Sequence, residues 1–301
     1  MSLAAQKARN TLRTFVFMAG LTGLLVVIGL LIGGTSGIVL FVGIAVAMNL
    51  AMYWFSAPMA LKMSRAVEVS EIEQPELHRM VAEVAMRAGV PKPKVYMTPA
   101  EQPNAFATGR NPHHSAIAVT QGIVQALSPR ELEGVIAHEM AHIKNRDILI
   151  ASIAAMVAGA ISAIANYLQF SMLFGGGDDD ESPLGIVGTL AVVIFAPLAA
   201  LIIQMAISRQ REYQADASGA QFLGDGNGLA DALETLERGS QAIPLAVNPA
   251  SAPLYIVNPL AAFGGRGMMK LFSSHPPTAE RVQRLRMLSG VLMTAPRGLE
   301  V

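Results

Sequence analysis

The stretch Ser128-Pro129-Arg130-Glu131-Leu132-Glu133-Gly134-Val135-Ile136-Ala137-His138-Glu139-Met140-Ala141-His142 decides the reading of this chain. Ser128 followed three residues later by Glu131 has the spacing of a capping box, and Pro129 falls at the first helical position, where its missing N–H costs nothing. A helix from 129 to 145 is therefore expected. On it, His138 and His142 lie one turn apart and point the same way. Two imidazoles so placed can take two positions of a tetrahedral Zn²⁺. Glu139 sits beside them, where it can act on a water held at the metal. A chance H-E-x-x-H on a surface helix would not need the cap, nor the small Ala137 and Ala141 next to the ligands.

The third ligand must come from elsewhere. A metzincin would place Gly at position 145 and His at 148, but the chain carries Asn145 and Ile148. A Glu from a second helix is the other common solution. Among the acidic candidates, Asp147 is rotated well off the His142 face at about 100° per residue. Asp178, Asp179, Asp180 and Glu181 are expected across a membrane from the histidines, and Glu234, Glu237 and Glu280 belong to helices of ordinary surface charge. Glu212, in Arg211-Glu212-Tyr213-Gln214-Ala215-Asp216, begins just after a span that can pack beside the one following His142, so its height above the membrane matches. Asp216 is four residues on and shares its face, so it can take the spare N–H of a ligating imidazole.

Composition places this site next to a bilayer. Of 301 residues, 52% are hydrophobic and only 15% charged, and the mean hydropathy is +0.43, which favours a membrane protein. Formal net charge is zero, so no nucleic-acid partner is expected. With no cysteine, disulfides and thiol catalysis are excluded, and a metal must be held by His, Asp or Glu. Four apolar segments are long enough to span: roughly 14–32, 37–55, 148–170 and 185–207. Lys7, Arg9 and Arg13, then Lys62 and Arg65, Lys144 and Arg146, and Arg209 and Arg211 flank them on one side. The loops 33–36 and 175–183 hold no Lys or Arg. That bias puts the N-terminus, the 57–146 segment and the C-terminal tail in the cytoplasm. His142 precedes the third span by about six residues and Glu212 follows the fourth by about five, so zinc would lie on the order of 10 Å from the apolar boundary. The first segment is too long for a cleavable signal and reads as an anchor.

The polar parts are of mixed structure. Helices are expected at 75–87, 228–238 and 278–288, and short strands at 94–97, 105–108 and 115–120. His113 and His114, beside Asn111-Pro112, read as turn residues and not as ligands.

Beyond His138–His142, the runs Asn145-Arg146-Asp147, Arg211-Glu212-Tyr213, Ala215-Asp216, Asn104-Ala105-Phe106-Ala107-Thr108-Gly109 and Ser274-His275-Pro276-Pro277-Thr278 are informative together. With these pieces the chain resembles, over nearly its whole length, the HtpX family of membrane zinc proteases, relatives of the CAAX prenyl proteases. The resemblance implies a mainly α integral membrane protein with four transmembrane helices and a gluzincin-like zinc protease domain of helices plus a small β-sheet. It implies one Zn²⁺ per chain on His138, His142 and Glu212, with Glu139 as the base. His275 resembles the family's oxyanion-stabilising residue, and Arg281 would assist it. Asn104, Ala105, Phe106 and Ala107 would form an edge strand for an extended substrate. The implied organisation is two transmembrane helices in 1–56, the first protease segment in 57–146, a membrane hairpin in 147–207 and the second protease segment in 208–301. The implied role is cleavage of unfolded or damaged membrane proteins at the cytoplasmic face of a cell (inner) membrane, in quality control and stress response. Two rivals are a zinc-bearing scaffold without protease activity and a soluble protease with unusually apolar helices. The first is disfavoured by Glu139 and by a three-ligand set, since structural zinc usually has four protein ligands.

Overall fold

The structure is a computed structural model that describes residues 3–157, 209–243, 254–257 and 276–294. The chain is helical from Leu3 to Met63 (α1) but breaks at Gly33 (φ −138°, ψ 18°) and Gly34 (φ 56°, ψ −137°). The positive φ at Gly34 costs little without a Cβ, and there the chain folds back on itself. A Cβ on Gly29 would come within 2.6 Å of the Gly37 carbonyl oxygen, so these glycines let the two arms meet backbone to backbone. Farther along, the Asn49 amide donates to Thr22 Oγ1 at 2.8 Å. The first two expected spans thus form a helical hairpin. Gly33–Met63 is long and apolar enough to cross a membrane, with a mean hydropathy of 2.1 and only 11% burial over its most apolar stretch. Val39, Leu40, Leu50, Trp54 and Phe55 are all exposed, more apolar surface than a soluble domain usually leaves wet. Thr14–Val27 is a shorter apolar helix. The fourth expected span, most of the third and the acidic loop lie outside the described residues.

The sheet has the order β1-β2-β4-β3, from Val67–Glu68 (β1), Lys94–Thr98 (β2), Ala105–Asn111 (β3) and His114–Thr120 (β4). β3 and β4 form an antiparallel hairpin and β2 runs parallel to β4, which leaves β3 at one edge. The expected strands are in place, β2 and β4 longer by one residue each and β3 by three. The two-residue β1 and the short helix Gln121–Ala126 (α3), capped by Thr120, were not expected.

Pro75–Ala88 (α2) starts at a proline and ends on Gly89 in the left-handed conformation (φ 67°). It buries Leu77, Val81, Val84, Ala85 and Ala88, a single helical face. Pro129–Asn145 (α4) is the central helix, and Val135, Ile136, Met140 and Ile143 are each fully buried. Around it pack α2, β3, Arg209–Leu223 (α6) and Asn227–Ala242 (α7), with Thr278–Thr294 (α8) against α6 and α7. Between α4 and α6 comes the apolar helix Ile148–Val157 (α5), the described start of the third expected span.

Candidate metal centre

The α4 start is built as expected. Ser128 Oγ accepts the Glu131 N–H at 3.4 Å, and the Glu131 carboxylate accepts the Ser128 N–H at 2.8 Å. Three turns along, His138 and His142 bring their Nε2 atoms to 3.1 Å, with the ring planes at 88°. From α6, the two oxygens of Glu212 stand 3.6 Å from His138 Nε2 and 3.6 Å from His142 Nε2. These three residues form a group that could hold a metal ion.

The donor set can be tested against zinc. Bonds of about 2.0–2.1 Å at tetrahedral angles separate neighbouring ligand atoms by roughly 3.3 Å; the two Nε2 atoms stand 3.1 Å apart, each has a different Glu212 oxygen at 3.6 Å, and one donor atom from each residue lies within 4.8 Å of the others. The far nitrogens are also engaged. His138 Nδ1 lies 2.9 Å from Asp216 Oδ1, and His142 Nδ1 lies 3.1 Å from Asp147 Oδ2. If each Nδ1 carries the proton for its carboxylate, both Nε2 lone pairs face the same small space, an arrangement that a cation relieves. Charge agrees. Glu139, Asp147, Glu212 and Asp216 are buried around the site together with Arg211 and Arg281. With Glu139 ionised and both rings neutral, four carboxylates against two guanidinium groups leave an excess of two negative charges, which a divalent ion would balance.

Behind His138, Asp216 is held by Arg281 through two bonds, Nε to Oδ2 at 2.9 Å and Nη2 to Oδ1 at 2.7 Å. Burial alone would raise the Asp216 carboxyl, but the charge and bonds of Arg281 and His138 outweigh it and hold it at about 2. Burial is the main cause that lowers His138 to about 4. Burial acts the same way on His142, but Asp147, Glu212 and Glu139 overcome it and push that ring up. Glu139 is 2% exposed. Burial, reinforced by the charge of Glu212 and opposed by His142, pushes it up to about 7. The backbone N–H of Ala107 on β3 works against that rise.

A cavity opens over the three ligand atoms, lined by Ala107, Glu139, Asp147, Ile148, Ala151, Arg211, Leu254 and Ile256 besides them. The structure therefore brings together His138, Glu139, His142, Glu212, Asp216, Arg281 and the end of the expected substrate strand at Ala107. Arg281 does not line the cavity but reaches the site from behind, through Asp216 and directly, with Nη2 3.5 Å from His138 Nδ1 and Nη1 3.9 Å from Glu212 Oε2. Phe106 turns the other way, its ring 5.2 Å from that of Tyr255. Asn104 is fully buried; its amide donates to the Val257 carbonyl at 3.1 Å, while Ala105 C=O accepts the Ile256 N–H at 3.1 Å. His275 lies outside the described residues. His113 sits in the β3–β4 turn and His114 opens β4, and both backbone N–H groups donate to Asn111 Oδ1.

Sequence reasoning missed Asp147 as a partner of His142, and Leu254 and Ile256 as walls of the cavity. Asp147 is not in the ligand group, as its rotation predicts. The turn after α4 is what returns its carboxylate to the back of the ring. Its signals in the sequence are its place two residues beyond the helix end and the run Asn145-Arg146-Asp147, which carries part of the family resemblance.

Comparison with known proteins gives a consistent result. The model of peptidase family M48 matches residues 71–289. A protease HtpX homolog of Gemmatimonas aurantiaca is 52% identical over 280 residues, covering 93% of this chain and 99% of that protein. One of Persephonella marina is 53% identical over 280 residues, covering 92% and 96%. Among solved structures, a crystal structure of S. mikatae Ste24p is similar with a TM-score of 0.47 and 19% identity, covering 93% of this chain and 66% of that one.

Proposed function

This chain belongs to peptidase family M48, in its HtpX group, and is a metallopeptidase, and we propose that it is a membrane-embedded zinc endopeptidase. Its proposed substrates are unfolded or damaged membrane proteins cut at the cytoplasmic face of a cell (inner) membrane. The observation that carries this reading is the buried carboxylate of Glu139 beside a three-donor group whose far nitrogens are each held by an Asp. Three protein donors leave one position of a tetrahedron open for chemistry.

Zinc, when bound, supplies Lewis acidity to the attacking water and to the scissile carbonyl. Glu139 takes a proton from that water and later delivers it to the leaving amine. The Ala107 N–H on β3 favours the charged form of Glu139 that takes the proton. Asp216 keeps the His138 proton on Nδ1, and Arg281 keeps Asp216 charged. The edge of β3 near Ala107 would receive the substrate backbone, and His275 would donate to the oxyanion. The exposed apolar hairpin of α1 supports embedding in lipid, and the basic flanks support a cytoplasmic N-terminus and site. The boundaries proposed are two membrane helices in 1–56, protease segments in 57–146 and 208–301, and a membrane hairpin in 147–207. The role is membrane-protein quality control under stress.

The test is to incubate the purified full chain in detergent with an unfolded protein, with and without a zinc chelator, beside Glu139→Gln. Glu139→Gln should retain zinc and lose turnover, because Glu139 acts on water and not on the metal. Substantial turnover by that variant would mean that another group is the base.

A further inference from the structure

We infer that Asp147 is a positioning residue for His142, and that through it the helix leading toward the membrane fixes the geometry of the metal centre. The inference rests on the zinc reading above.

The local chain shows why Asp147 can do this. Arg146 adopts a left-handed conformation (φ 58°) at the end of α4, uncommon for a residue with a Cβ. That turn closes with the Asp147 N–H donating to the His142 carbonyl at 3.3 Å. One residue thus contacts His142 twice, by its backbone at the carbonyl and by its carboxylate at Nδ1 (3.1 Å). Asp147 also stands at the start of α5, since its own carbonyl accepts the Ala151 N–H at 3.3 Å. An Asp at such a place ordinarily turns its side chain onto the free N–H groups of the helix it begins, worth about 1 kcal/mol. Here the carboxylate instead faces His142, and its other oxygen has no hydrogen-bond partner among the described residues. At 5% exposure, that use of a charge is costly unless the ring needs it.

The same helix also holds the opposite wall of the cleft. Ser152 lies within 2.6 Å of Thr108 Oγ1 and accepts the Gly109 N–H at 3.5 Å. A Cβ on Gly109 would lie 2.9 Å from Ile148 Cδ1. Within six residues α5 therefore fixes a metal-binding ring on α4 and the strand β3 that faces it. His142 is the more exposed of the two rings, 17% against 1% for His138, so it has more need of an anchor.

The experiment uses the full chain in detergent, as wild type, Asp147→Asn, Asp147→Ala and Glu212→Ala. Zinc affinity is read by competition with a chelator of known strength. The imidazole ¹⁵N spectrum, simple in a chain of six histidines, reports which nitrogen of His142 carries the proton. Asp147→Ala should weaken zinc binding about 10–100-fold, as loss of a carboxylate behind a ligating His does. Asp147→Asn, which keeps an acceptor of the same size, should lose less. In the wild type the His142 proton should be on Nδ1, with Nε2 on the metal. Wild-type affinity in both Asp147 variants would overturn the inference while leaving the zinc reading intact, provided Glu212→Ala loses the metal. A wild-type His142 that binds zinc through Nδ1 would overturn it even if neither variant folds. A wild type that takes up no zinc would overturn the zinc reading itself.

Discussion

Arg281 and Asp216 form a two-point ion pair from which solvent is excluded, with the guanidinium 1% and the carboxylate 4% exposed. The pair joins α8 to α6 and ends on a candidate metal-binding ring, since Asp216 Oδ1 also lies 2.9 Å from His138 Nδ1. The last described helix of the chain is thereby part of the metal site.

Removing Arg281 should destabilise the protease domain and not only slow it. Arg281→Ala would strand the Asp216 charge in the interior, where breaking one partner of a buried pair costs about 3–5 kcal/mol. A fall in Tm on the order of 10 °C is expected, with weaker zinc retention. Arg281→Lys should recover only part of this, because an ammonium cannot match the planar two-bond geometry. Thermal unfolding in detergent with and without added zinc checks both. An unchanged Tm in Arg281→Ala would mean that Asp216 does not need its guanidinium partner.

The pH dependence of turnover follows from Glu139. Without a metal ion, burial, reinforced by Glu212 and opposed by His142, pushes it up to about 7. A base must be ionised, so activity is gained as pH rises through this pKa and lost as pH falls below it. A divalent cation beside the carboxylate favours its charged form and can only move the pKa down. The acid limb of kcat/KM in the zinc-loaded enzyme should therefore have its midpoint at or below about 7. Metal content must be measured at each pH, because protons compete with zinc for the histidines. An acid limb centred above that value, at constant zinc, would show that Glu139 is not the group being titrated.

Membrane topology can be read by chemistry, because the chain has no cysteine. A single cysteine in place of Asp179 should react with an impermeant thiol reagent added outside intact cells. One in place of Glu101, before β3, should react only after lysis. Protection of position 179 in intact cells would mean that the 147–207 segment forms a hairpin that does not cross the bilayer.

The parts of the fold legible in the sequence are those specified by short-range chemistry. Ser128, Pro129 and Glu131 announce the start of α4, and the four-residue spacing from His138 to His142 fixes a shared face. The same spacing carries Glu212 and Asp216 on α6, and both reach the rings as the rotation predicts. Asp147 was illegible as a partner because a rotation of about 100° per residue holds only while the helix continues. The left-handed turn at Arg146 ends it one residue earlier. Leu254 and Ile256 were illegible for a different reason. They reach the cavity by pairing Ile256 with Ala105, about 150 residues away in sequence, and no periodicity encodes that contact. β1 is two exposed residues paired with β2 through the backbone and through the Glu68 carboxylate, which accepts from Lys94 Nζ and Tyr96 Oη, so it leaves no apolar pattern to read.

The approach of α6 to α4 sets whether Glu212 reaches the histidines at all, and Gly219 controls that approach. Glu212, Asp216 and Gly219 are spaced four and then three residues apart, so one face of α6 carries a ligand, its supporting carboxylate and a missing side chain. A Cβ on Gly219 would lie 3.0 Å from the His138 nitrogen and 3.1 Å from the Ala137 carbonyl carbon. Those are backbone atoms in the middle of a helix and cannot swing aside, so the helices would have to separate by a few tenths of an ångström. The donor atoms are now 3.1–3.6 Å apart, close to the separation that zinc requires, and lengthening two of the three contacts to α6 moves the set away from it. Gly219→Ala should therefore weaken zinc binding modestly, and Gly219→Val, with two further carbons directed at the same backbone, should weaken it more. Overpacking of this kind typically costs about 1–3 kcal/mol of stability as well. The graded loss from Gly to Ala to Val, read as zinc affinity on the folded protein, is the expected result. Wild-type zinc affinity and turnover in Gly219→Val would show that the spacing of α4 and α6 at this crossing does not govern the metal site.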